Sequence, residues 1–145
     1  MLPVPLIAEL QRRGCTIPQE VFSKSPNNVI SGRFAKRGQT DWAVLCSVNR
    51  RSSILVFWNA SPSNPAELAP GPDIDFLQSL AGGKIGFSRG ISAVAKNYIT
   101  QHHKIHDGPK PPPIDHQGIN DAFLSKGSVV QYFFEGKWIE LTGAD

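Results

Sequence analysis

All four histidines of the chain, His102, His103, His106 and His116, lie between Gln101 and Asp121, in the stretch QHHKIHDGPKPPPIDHQGIND. His102 and His106 are four residues apart, which puts two imidazoles on one helix face, as zinc ligands require. Beyond a proline bridge, His116 offers a third nitrogen and Asp115 a carboxylate, if the chain folds back. Two features weigh against a metal. No glutamate completes an HExxH pattern, and His102 shares a helix face with Val94, Tyr98 and Ile105, which reads as core. His103 and His106 then fall beside or away from that face. Imidazoles at a helix C-terminus, favoured by the macrodipole when protonated, explain the cluster without a metal. The expectation is no metal and no cofactor, with His102, His106 and His116 as the alternative ligand set.

Asp115 and His116 are also the best general acid–base pair in the chain. A hydrolase-like enzyme built on them is the alternative to a binding protein. The plainer reading of IDHQGIND is a turn, in which Asp115 and Asp121 accept from backbone amides and Asp121 caps a short helix. Glycine loops of the GxxxxGK[ST] or GxGxxG type and a GxSxG elbow are all missing; AGGKIGFSRG is glycine-rich without those spacings. Cys46 sits in the apolar segment AVLCSV, where a thiol is neither exposed nor easily ionised, so it is not read as a nucleophile. Two cysteines cannot make a four-thiolate zinc site. The choice is between two buried thiols and a Cys15–Cys46 disulfide, and the disulfide is expected. The helix before Cys15 has a short apolar side, Leu6, Ile7 and Leu10, and needs a tether.

The elements that position these residues follow from periodicity and punctuation. A helix is predicted over residues 5–13, with Pro5 in its first turn and Gly14 at its end. NVISGRF, DWAVLCSV and SILVFW read as three strands joined by polar turns. The second and third are apolar on both faces, which marks them as central. Asp73 is predicted to cap a short helix through Leu80, KIGFS is a strand candidate, and a second helix is predicted from Ser92 to His106. PKPPP is a stiff extended bridge. The clearest hairpin is SVVQYFFEGKWIELTG, turning at Glu135-Gly136 and pairing Phe133 with Trp138 and Gln131 with Glu140. One face, with Val130, Tyr132, Ile139 and Leu141, reads as core. The other, with Gln131, Phe133, Trp138 and Glu140, mixes aromatic and polar groups and is the candidate binding face. No internal repeat is visible.

The chain of 145 residues suits a single domain, 1–145, and its 40% hydrophobic and 19% charged residues exclude wholesale disorder. Twelve prolines and thirteen glycines favour short elements over a helical bundle. The net charge is +3, but the bases are scattered and no run of five exists, so nucleic acid is not the expected partner. Phe133, Trp138 and Lys137 offer only a fragment of the aromatic-and-basic pattern that a weak nucleic-acid binder would show. No apolar run approaches a membrane span. The N-terminal segment lacks the basic start of a signal peptide, which leaves the compartment open because a precursor could have been trimmed.

The segments RGCTIPQ, NVISGRF, GQTDWAVLCS, SSILVFW, DHQGINDAF and GKWIELTG together resemble a group of small bacterial proteins, many of them exported. The resemblance implies a periplasmic or secreted protein, with a cytoplasmic one as the alternative, and implies no activity. GRFAKRGQTDWAVLCS is also similar to the FG-GAP type of β-propeller repeat. Asp41 is the one acidic residue of that loop, too few for calcium, and a single copy makes no propeller. The fold expected is α+β: a mainly antiparallel twisted sheet of about five or six strands with two or three short helices. The function expected is a small exported, non-enzymatic binding or interaction protein for a protein or small-molecule ligand.

Overall fold

The computed structural model describes residues 1–144. Helix α1 (Val4–Arg12) precedes strands β1 (Val29–Gly32), β2 (Asp41–Val48), β3 (Arg51–Phe57) and β4 (Ala66–Pro72). A two-stranded ribbon follows, β5 (Leu77–Ser79) and β6 (Ile85–Phe87). Then come β7 (Arg89–Val94), helix α2 (Lys96–His106), β8 (Gly118–Phe123), β9 (Gly127–Phe134) and β10 (Lys137–Thr142). The class is α+β with antiparallel pairing. The strand count corrects the expectation of five or six in one sheet: the described residues form ten in three sheets, two of them four-stranded meanders ordered β1-β2-β3-β4 and β10-β9-β8-β7.

The two meanders share one layout that no sequence repeat announces. Each covers one face with the other sheet and the opposite face with a helix. Ala43, Leu45, Ile54 and Val56 of the first sheet meet Ile91 and Ile119 of the second in a common core. On the outer face of the first sheet, Val44, Cys46, Leu55 and Phe57 take Leu6 and Leu10 of α1. On the outer face of the second, Val130, Tyr132 and Leu141 take Ile99 of α2. The layer order is therefore α1, sheet, sheet, α2. It explains why β2 and β3 are apolar on both faces: neither face of the strands meets water.

Local signals fail where tertiary context overrides them. β4 carries Pro70 and Pro72, and an edge strand tolerates proline because one row of its amides pairs with nothing. The helix expected over residues 73–80 is a 3-10 turn, Asp73–Phe76, followed by β5. The helix expected from Ser92 starts at Lys96, since residues 92–94 belong to β7. The inward face also differs from the expected one: Ile99 is fully buried, whereas Ile105 is exposed. The turn expected at Asp121 is strand β8. On α1, Leu6 and Leu10 are buried, whereas Ile7 is exposed. The final hairpin has the register read from the sequence, Phe133 opposite Trp138 and Gln131 opposite Glu140. Its turn has φ of 50° at Glu135 and 77° at Gly136, the left-handed pair that matches strand twist.

Polar side chains join the layers. Arg89, on β7, makes a bidentate pair with Asp121 of β8 at 2.9 and 2.8 Å. Its remaining donors reach across to the first sheet, to Ser52 O and Oγ on β3 and to Ala69 O on β4. The guanidinium also lies 4.7 Å above the Phe76 ring. Asn28 is as deeply placed; it donates to Pro18 O and Arg89 O and accepts from Ile91 N, pairing with β7 as a short strand would. The disulfide joins Cys15, after α1, to Cys46 on β2, with Cα atoms 5.1 Å apart, within ordinary bridging distance. Beside it, Glu9 is gripped by Arg12 first and Arg13 second, which hold its carboxyl down to about 2.

Candidate functional site

The aromatic pair of the hairpin has a third member. Trp58 follows β3 in a 3-10 turn, and its ring centroid lies 4.9 Å from Phe133 and 5.6 Å from Trp138. Phe133 and Trp138 are 5.3 Å apart, so the three rings form a closed triangle. All three are half-buried, and Trp58 and Trp138 pack on the common core between the sheets. The triangle lies on the side of the second sheet that faces the first, away from the outer faces on which α1 and α2 pack.

Asp41 sets the position of Trp58. Its buried carboxylate accepts from the amides of Phe34, Ala35 and Asn59 and from Gln39 Nε2, at 2.7 to 3.1 Å. Four N–H donors fill it, so it organises the loop rather than facing a cation. The sequence held a signal for this: an isolated aspartate opening a buried strand has to find donors. Trp58 carries no such signal, because SILVFW reads as a central strand to its last residue. Glu140 is exposed at the rim, while Gln131 is buried and donates to Glu140 Oε2 at 3.1 Å. Gln131, expected on the binding face, thus turns its amide to the Glu140 carboxylate.

Asp115 and His116 are brought together, but in a fixed arrangement. His116 Nε2 lies 2.8 Å from the carbonyl of Phe133, which can only accept, so this nitrogen carries a hydrogen. Its Nδ1 lies 2.7 Å from Asp115 Oδ1 and 3.1 Å from the Tyr132 hydroxyl, and the ring stacks on Tyr132. The His116 neighbour holds the Asp115 carboxyl below its ordinary range. Both ring nitrogens are thus engaged, the side chain is 7% exposed, and neither nitrogen is left for a substrate. The imidazole works as a post between the proline bridge and β9.

The other histidines point elsewhere. His102 stacks on Tyr98 at 4.0 Å and places Nδ1 2.8 Å from the Tyr98 carbonyl; His106 stacks above it at 6.1 Å. This ladder runs along α2, and His116 belongs to a different cluster. Among the described residues no three His, Cys, Asp or Glu side chains are grouped to hold a metal ion.

Burial raises the Tyr132 hydroxyl above its ordinary range. The folded state therefore favours the neutral phenol, so its contribution to stability is complete below the unfolded value, near pH 10, and is lost as pH rises through the folded value. Tyr132→Phe should flatten the decline of unfolding free energy as pH rises above about 10. Equal slopes for the two chains would show that another group titrates there.

Compared with family models, with curated proteins and with solved structures, the chain matches none. Among the described residues no helix is long and apolar enough to cross a membrane.

Proposed function

We propose that this protein is a small exported binding module, non-enzymatic, whose recognition surface is the triangle of Trp58, Phe133 and Trp138 with Glu140 at its rim. The observation that carries the reading is the packing of three part-exposed aromatic rings into one cluster on which neither helix lies. Rigid aromatic surfaces beside a polar rim supply much contact area at little entropic cost, the composition of binding hot spots. The engaged nitrogens of His116 favour binding over hydrolysis. The disulfide and the resemblance to exported bacterial proteins support an oxidising compartment.

The test is an NMR titration of the full chain with a panel of short oligosaccharides and extended peptides, following the three indole N–H signals. A ligand of this surface should shift Trp58 and Trp138 before Trp42, which lies on the face under α1. Trp58→Ala should weaken that ligand at least about tenfold, as hot-spot truncations do. Ligands that shift the chain elsewhere, with both indoles unmoved, would contradict the assignment.

A further inference from the structure

We infer a second site, separate from the aromatic triangle: a cleft that takes a small organic anion with an apolar body. The cleft measures about 450 Å³ and is walled by the loop after β1, the start of α2 and the segment through Asp115 and His116. That volume is within the range of about 300–1,000 Å³ in which small ligands are enclosed. Arg33 and Arg37 line one side, Lys96 another, and Ala95 and Ile114 form the apolar part of the wall.

The cations of the cleft outnumber its one carboxylate, Asp115, whose charge Arg37 also favours. The described residues hold ion pairs only at Glu9, at Arg89–Asp121 and at Asp115–His116, so Arg33, Arg37 and Lys96 have none. Arg37 spends Nε on the backbone carbonyl of Asp115 at 3.0 Å, a contact that fixes its stem across the cleft and leaves its terminal nitrogens to a ligand. Asp115 is the one carboxylate in the wall, and its Oδ1 is taken by His116. Three cations against one carboxylate give the cleft a positive potential.

The walls are also fixed relative to each other before any ligand arrives. Arg33 N donates to Gln117 Oε1 at 2.8 Å, and Gln117 N donates back to Arg33 O at 2.9 Å. Gly32 makes this approach possible: a Cβ there would stand 2.7 Å from the Phe34 ring and 2.9 Å from Gln117 Oε1. The clamp ties the first sheet to the segment entering β8, so the backbone of the cleft needs little ordering on binding, which favours affinity. An anionic head among Arg33, Arg37 and Lys96 with a short apolar chain against Ile114 satisfies both halves of the wall.

The test uses the full oxidised chain and three probes: hexanoate, hexanol and inorganic phosphate. Backbone amides of Arg33, Lys96 and Gln117 report by NMR. Hexanoate should shift them saturably and more tightly than phosphate, and hexanol should not. Arg33→Gln with Lys96→Gln should weaken hexanoate at least about tenfold, and Arg37→Gln provides an independent variant. Lys126→Gln, an equal loss of charge on the exposed β8–β9 turn, should leave the affinity unchanged. No saturable shift with hexanoate, equal binding of hexanol, phosphate binding as tightly as hexanoate, or the same loss from Lys126→Gln would each overturn the proposal.

Discussion

Arg89→Leu should destabilise the protein by about 3–5 kcal/mol, the cost of leaving one member of a buried ion pair alone. The side chain of Arg89 is 1% exposed and that of Asp121 10%, so water cannot take over the broken pairing. The loss goes beyond the carboxylate, because the guanidinium also satisfies Ser52 O on β3 and Ala69 O on β4. One residue on β7 thus holds the two sheets in register. Denaturant unfolding checks this, with the double change Arg89→Met and Asp121→Leu as partner. The double variant should recover much of the loss, since replacing a buried pair by apolar groups is often neutral. A single variant within about 1 kcal/mol of the parent would show that the joint lies elsewhere.

Removing the disulfide with Cys15→Ser and Cys46→Ser should cost about 3–4 kcal/mol, the loop-closure term for this span. The bridge spans 31 positions and holds α1 against β2. Apart from it, α1 relies chiefly on Leu6 and Leu10, together about 3–6 kcal/mol of burial before the entropy of ordering nine residues is counted. Loss of α1 would uncover Val44, Leu55 and Phe57, so the variant should expose apolar surface as well as unfold earlier. Unfolding curves and apolar-dye binding of the parent with and without reductant give the comparison. Curves that superimpose would mean α1 is held without the bridge.

The sequence was most informative where one local rule decided the outcome. The hairpin from Gly127 to Thr142 could be read to the residue because a two-residue left-handed turn fixes its register. The Cys15–Cys46 pair could be read because a short helix needed a tether. What escaped depends on partners far along the chain. Asp121 looks like a turn residue until Arg89, 32 positions earlier, is placed beside it. β4 looks like a loop because prolines mask an edge strand. The second meander is hidden because α2 and the proline bridge interrupt it between β7 and β8. The site shows the same division: Phe133 and Trp138 follow from the hairpin alone, whereas Trp58 joins them only through the Asp41 network.

The most direct measurement of the central claim is paramagnetic relaxation by a neutral, soluble gadolinium chelate, which reports which rings face open water. The account predicts strong relaxation of the Trp58 and Trp138 indole signals and of Phe133 ring protons, with little at Tyr132, whose ring is fully buried. If Trp58 and Trp138 relax no faster than Tyr132, the three rings are a sealed part of the core, and the aromatic triangle is not a recognition surface.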